Sequence, residues 1–216
     1  MRYRYDAIVF DFDGTLVKSN EIKKWAFGKL YEKYGENIVR LVTDYHENHP
    51  GISRFEKFRY WHEHLINLPY TDEVGKKLSH KFSQLVLDSV VQAPYVEGAL
   101  RFLKKYYLYL PLFIASSTPE KELREIISCR KMSCFFWNVF GSPSTKTEIL
   151  NLIIEKHSWQ PARVLMVGDA ITDLEGALSA GTKFIGIQSG KDTNLFPPTQ
   201  ILLKNFETFE KYAPYF

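Results

Sequence analysis

The chain has 216 residues, 45% of them apolar and 25% charged, with 28 basic and 25 acidic side chains for a formal charge of +3. That is an ordinary soluble globular composition, long enough for one large domain or a domain with an inserted subdomain. So mild a charge, without any basic run, predicts no nucleic-acid partner, and no apolar stretch approaches membrane-spanning length, so no membrane partner is expected.

In chain order, residues 7–10 (AIVF) form a short apolar run, the pattern of a strand buried on both faces. The stretch from about 19 to 93 has no convincing strand; amphipathic helical patterns at 22–34 and 72–90 flank a loop at 48–53 (NHPGIS). It reads as an all-helical insert. The chain then divides into residues 1–17 plus 94–216 as one domain and 18–93 as the other, with hinges near 17–20 and 92–95. Beyond the insert, helical patterns at 96–107, 119–131, 147–157 and 173–180 alternate with apolar runs at 112–115 (LFIA), 138–140 (NVF), 164–167 (VLMV) and 184–187 (FIGI). Pro119 is expected at the first helical position and Gly181 as a helix stop. Residues 200–212 add a short strand and a helix. Alternation of this kind predicts an α/β fold, a parallel sheet with helices on both faces.

Cys129 and Cys134 form neither a CxxC pair nor a zinc set, so free thiols in a reducing compartment are expected. The first residues lack a leader pattern, and cytoplasmic residence follows as an expectation. The 15% aromatic content predicts core packing and an aromatic-lined surface. Nothing in the chain chooses between monomer and homodimer.

In an open parallel sheet, ligands bind outside the carboxyl ends of the strands. After AIVF come Asp11 and Asp13; after LFIA, Ser116, Ser117 and Thr118; after NVF, a loop leading to Lys146; after VLMV, Gly168, Asp169 and then Asp173. Each taken singly reads as a turn or helix cap. Together they place carboxylates, hydroxyls and one ammonium on a single edge. Asp-Gly explains Asp13 as a turn residue but leaves Asp11 costly to bury among apolar neighbours. This donor set suits a Mg2+-assisted phosphoryl transfer. Asp11 would be the nucleophile, Asp13 the acid and base, and Ser116, Ser117 and Lys146 the phosphoryl holders.

"DFDGTLV", "IASS", "SPSTKTEIL" and "VGDAITD" resemble the four motifs of the haloacid dehalogenase superfamily, over residues 7 to about 188. The resemblance implies a Rossmann-like core with a mobile cap. A helical insert directly after the first motif resembles the cap of the phosphoglycolate phosphatase and β-phosphoglucomutase branch. It further implies an aspartyl-phosphate on Asp11 and Mg2+ held by Asp11, the Asp13 carbonyl and Asp169, with Asp173 ligating through water or holding Lys146. Asp13 argues against dehalogenation, which has no alkoxide to protonate. Lys146 departs from the commoner Gly-Lys-Pro context. Lys18 stands where many relatives carry Asp and makes the mouth of the site more basic.

Within the insert, "HPGISRFEKFRYW" resembles the Gly-Val-Ser-Arg loop of β-phosphoglucomutase caps, so Arg54 matches the arginine that holds a second anionic group of the substrate. The alternative is that Arg54 pairs with Glu56 or Glu63. Gly51 would let the loop approach the substrate. Lys23, on the first helix of the insert, would face the site or remain solvated. The histidines read as surface or packing residues, with His49 nearest the substrate. The expected partner is a small phosphate ester, and the expected activity a phosphatase, with a phosphomutase and a catalytically silent partner-binding domain as alternatives.

Overall fold

The structure, a computed structural model, describes residues 4–188 and 196–212. Strands β1 (Ala7–Phe10), β2 (Leu112–Pro119), β3 (Asn138–Ser142), β4 (Val164–Gly168), β5 (Lys183–Ile187) and β6 (Leu202–Leu203) form one sheet. All pairs are parallel and the order is β3-β2-β1-β4-β5-β6. The apolar runs become strands because both sheet faces are covered. Ile8 and Phe10 turn into one apolar cluster, Ala7 and Val9 into the other. Helices α5 (Ala99–Tyr106), α6 (Glu120–Cys129), α7 (Lys146–His157), α8 (Ile171–Ala180) and α9 (Phe206–Tyr212) supply the covering layers.

From β1 the chain winds outward through β2 to β3, then returns past β1 to β4. That reversal opens a crevice above the carboxyl end of β1. Phe10 is in register with Ile114 of β2 and Val167 of β4, so the residues that follow each strand emerge together.

The sheet differs from the sequence reading at β2. It runs to Pro119, with a register shift against β3 between Ala115 and Pro119. Pro119 therefore ends the strand with an extended ψ of 131° instead of opening the helix. Its ring fixes φ but leaves ψ free for either role.

Between β1 and α5 lie α1 (Asn20–Tyr31), α2 (Glu36–Asn48), α3 (Arg54–Tyr60) and α4 (Asp72–Gln92). This insert has an aromatic core of Phe27, Tyr31, Phe58, Trp61 and Phe82. Phe27 lies 4.3 Å from Phe82 and 5.1 Å from Trp61 between ring centroids. Most of the aromatic content is thus interior; the exposed aromatics Trp25, Tyr60, Tyr109 and Trp137 are scattered. The two crossings run side by side. The Lys18 N–H donates to the Pro94 carbonyl at 2.9 Å and the Val96 N–H to the Leu16 carbonyl at 3.0 Å.

Candidate active site

A cavity of about 580 Å³ opens over the crevice, floored by the strand ends and roofed by the insert. Asp11 follows β1 directly, and its N–H donates to the Val167 carbonyl at 2.8 Å. Lys146, the first residue of α7, donates from Nζ to Asp11 Oδ1 at 2.6 Å and to the Ala115 carbonyl at 2.6 Å. The same ammonium lies 2.7 Å from Asp173 Oδ1. A capping box between Thr145 and Glu148 starts α7 where the lysine needs to be. The motif's unusual context therefore leaves the reach of Lys146 intact. Asp11 Oδ2 has no hydrogen-bond partner among the described residues.

Asp11, Asp169 and Asp173 bring carboxylate oxygens within 4.8 Å of one another. Burial pushes the Asp11 carboxyl up to about 7; Asp173 and Asp13 add to the rise and Lys146 opposes it. Burial, then Asp11 and Asp173, hold Asp169 well above the carboxylate range. Asp169 is positioned by Thr15, whose hydroxyl donates to Oδ1 at 2.8 Å, and by Asn20 of α1, at 3.1 Å from Oδ2. Gly14, at φ +80°, makes that approach possible: a Cβ there would meet Asp169 Oδ2 at 2.1 Å.

Asp13 is gripped on both oxygens. The Ser19 hydroxyl donates to Oδ1 at 2.6 Å, and Thr118 Oγ1 to Oδ2 at 2.9 Å. Lys23 reaches down from α1, donating to Asp13 Oδ2 and to Thr118 Oγ1. Burial alone would raise the Asp13 carboxyl, but the Lys23 charge and these donors hold it below its ordinary value. Ser116 is buried and accepts the Thr118 N–H at 3.2 Å, whereas Ser117 and Thr118 line the cavity.

This constellation matches a known family. The description "haloacid dehalogenase-like hydrolase" fits residues 8–187. The chain belongs to the haloacid dehalogenase-like hydrolases. It is 26% identical over 185 residues to a phosphorylated carbohydrates phosphatase of Thermotoga maritima, covering 83% of each chain. It is 28% identical over 206 residues to a phosphoglycolate phosphatase of Vibrio vulnificus, covering 85% of this chain and 83% of that one. Among solved structures, a HAD-hydrolase from Bacillus subtilis, described as bound to magnesium and revealing interdomain movement, has the same fold. Its TM-score is 0.71 at 16% identity, covering 98% of this chain and 99% of that one.

On the insert side, this haloacid dehalogenase-like hydrolase departs from three expectations. Arg54 pairs with neither Glu56 nor Glu63. Its guanidinium forks onto Glu122 of α6, Nη1 to Oε2 at 2.8 Å and Nη2 to Oε1 at 2.7 Å, and lies 4.4 Å from the Phe82 ring centroid. Ser83 donates to the same Glu122 carboxylate. His49 stacks on Tyr45 at 4.0 Å and does not line the cavity; His46 does. Lys18 stands at the mouth, but Glu97 offsets its charge at 2.7 Å.

The sequence reading missed Asn20, His46, Lys57 and Glu122. One signal was present: Arg54, Lys57, Phe58 and Trp61 follow the i, i+3, i+4, i+7 spacing of a buried helix face. Two cations on such a face point to buried partners.

Proposed function

We propose that this hydrolase is a magnesium-dependent phosphatase that frees the phosphoryl group of a small phosphorylated metabolite through an aspartyl-phosphate on Asp11. The observation that carries this reading is Asp11 itself, with one oxygen held by Lys146 and the other without a hydrogen-bond partner among the described residues. The names of the Thermotoga and Vibrio relatives support phosphate-ester substrates.

The donor set fits magnesium. Of the three clustered carboxylates, Asp11 and Asp173 share the Lys146 ammonium and Asp169 has no cation beside it among the described residues, leaving a surplus of negative charge on hard oxygen donors. Asp11, Asp169 and the Asp13 carbonyl would hold the ion, and Asp173, engaged with Lys146 and the Ala170 N–H, would fix the lysine. When bound, the ion supplies charge neutralisation and Lewis-acid stabilisation of the phosphoryl oxygens.

The chain's own residues would do the rest. An Asp11 oxygen attacks phosphorus as the ester P–O bond breaks, and the leaving oxygen takes a proton from Asp13. Asp13 then accepts a proton from water. The water oxygen attacks phosphorus, the bond to Asp11 breaks, and inorganic phosphate leaves. Asp13 starts ionised in the grip of Lys23. An arriving phosphate dianion competes for that ammonium, and Asp13 can then take up the proton it must deliver. Lys146, Ser117, Thr118 and nearby backbone N–H groups would hold the phosphoryl oxygens.

Phosphate release from a panel of phosphorylated metabolites, with Mg2+ and with EDTA, tests the reading. Release should require Mg2+ and fall to background in Asp11→Asn. Near-wild-type release from that variant would overturn the assignment. Isomerised substrate in place of free phosphate would make the protein a mutase.

A further inference from the structure

Lys57 is 2% exposed, yet no carboxylate lies within ion-pair distance of it among the described residues. Its Nζ meets His46 Nδ1 at 2.7 Å and lies 5.7 Å from the Phe27 ring centroid. Both Lys57 and His46 line the cavity that holds Asp11 and Asp13. Lys23, from α1, is the cation that faces Lys57, and Glu56, on its own helix, partly opposes it. Burial, and then the Lys23 charge, push the Lys57 ammonium down to about 7. Burial, then Lys57 and Lys23, hold His46 well below its ordinary range, so its imidazole is neutral and Nδ1 accepts from the ammonium.

A buried lysine without an acid costs stability, and an apolar side chain of similar length would fill the same space without that cost. The cation is half of a pair whose other half is missing from the described residues. Arg54 borders the same cavity but stands in contrast: both arms of its fork are already engaged by Glu122, and Nη1 also donates to Ser83. One ammonium beside a neutral imidazole balances a single negative charge. It suits a carboxylate better than a phosphate dianion, for which a guanidinium fork is the better match.

We propose that Lys57, supported by His46, seats a carboxylate at the non-reacting end of the substrate, so that the preferred substrate is a short phosphorylated hydroxy acid. This rests on the phosphatase reading for the reacting end. The run from Asp13 through Lys23 to Lys57 keeps the two ends close, and it leaves Arg54 to tie the insert to α6.

The test is calorimetric titration of the Asp11→Asn protein, which does not turn ligand over, with 3-phosphoglycerate and with glycerol 3-phosphate, its neutral-ended counterpart. The acid should bind at least about ten-fold tighter. Adding Lys57→Met should bring the two within about two-fold while the unfolding temperature stays level or rises. Equal binding of the two ligands, or a preference that survives Lys57→Met, overturns the proposal, as does a tighter fit for fructose 1,6-bisphosphate than for the acid. A preference lost in Arg54→Ala but kept in Lys57→Met would move the seat to Arg54. Failure of the phosphatase reading appears separately, as no phosphate release from the wild-type enzyme.

Discussion

Lys57 and Lys146 are both buried ammonium groups with opposite electrostatics. Lys146 lies between Asp11 and Asp173, whose charges outweigh its burial and raise its pKa. Lys57, buried and facing Lys23 with no ion-paired carboxylate among the described residues, gives up its proton at about 7, against 10.5 for an ordinary lysine. Between those values the unfolded chain binds the extra proton, so stability rises with pH across that window. Thermal unfolding from pH 7 to 10 should therefore show a positive contribution that Lys57→Met removes. An unchanged slope in the variant would mean that Lys57 is solvated in solution. Asp169 makes a second residue-scale case. Mg2+ at a hundred times its Kd should stabilise the fold by about 2.7 kcal/mol by mass action. Asp169→Asn should abolish that shift in a thermal melt; a shift of the same size in the variant would place the ion elsewhere.

At the scale of elements, α3 and α6 are joined by Arg54 and Glu122, sixty-eight positions apart in sequence and both buried. Removing one partner of a buried pair typically costs about 3–5 kcal/mol if the other stays dry. If the paired crossings act as hinges, as we propose, a cheaper outcome exists, in which the insert lifts and the orphaned charge is wetted. Arg54→Ala and Glu122→Ala should each raise the radius of gyration by X-ray scattering and speed proteolysis near 17–20 and 92–95. Radii identical to the wild type would show that the pair is not a latch. Gly51, at φ +79°, packs the α2–α3 loop against the start of α8, where a Cβ would come within 1.8 Å of Thr172 Oγ1. Gly51→Val should therefore keep the insert from seating and lower kcat by about ten-fold or more, since small displacements at a reacting centre cost that much. An unaffected kcat would mean that closure at this loop is not needed for turnover.

Across the whole molecule, one apolar cluster runs from the sheet through α5 and α9 into the aromatic core of the insert, so the roof and floor of the cavity share a continuous interior. The reacting groups of the floor are fixed by strand ends and a capped helix. Over the cavity, polar side-chain ties join roof to floor: Lys23 on Asp13, Asn20 on Asp169, Arg54 on Glu122. Those polar ties can be exchanged for ligand or water at modest net cost, which is how a lid closes over a substrate and then releases product.

The parallel sheet, the helical insert and the carboxylates at the strand ends were legible from the chain, because each rests on a local rule. Apolar runs of strand length alternate with helical periods, and parallel register carries whatever follows each strand to one edge. Asp11, Asp13, Lys146, Asp169 and Asp173 could be named that way. What faces the cavity from above could not. Whether Arg54 reaches a substrate or Glu122, whether His46 or His49 lines the site, and whether Lys57 is solvated or buried all depend on how the insert seats over the sheet. No periodicity encodes that seating. It follows from packing between segments distant in sequence, and only the tertiary structure decided it.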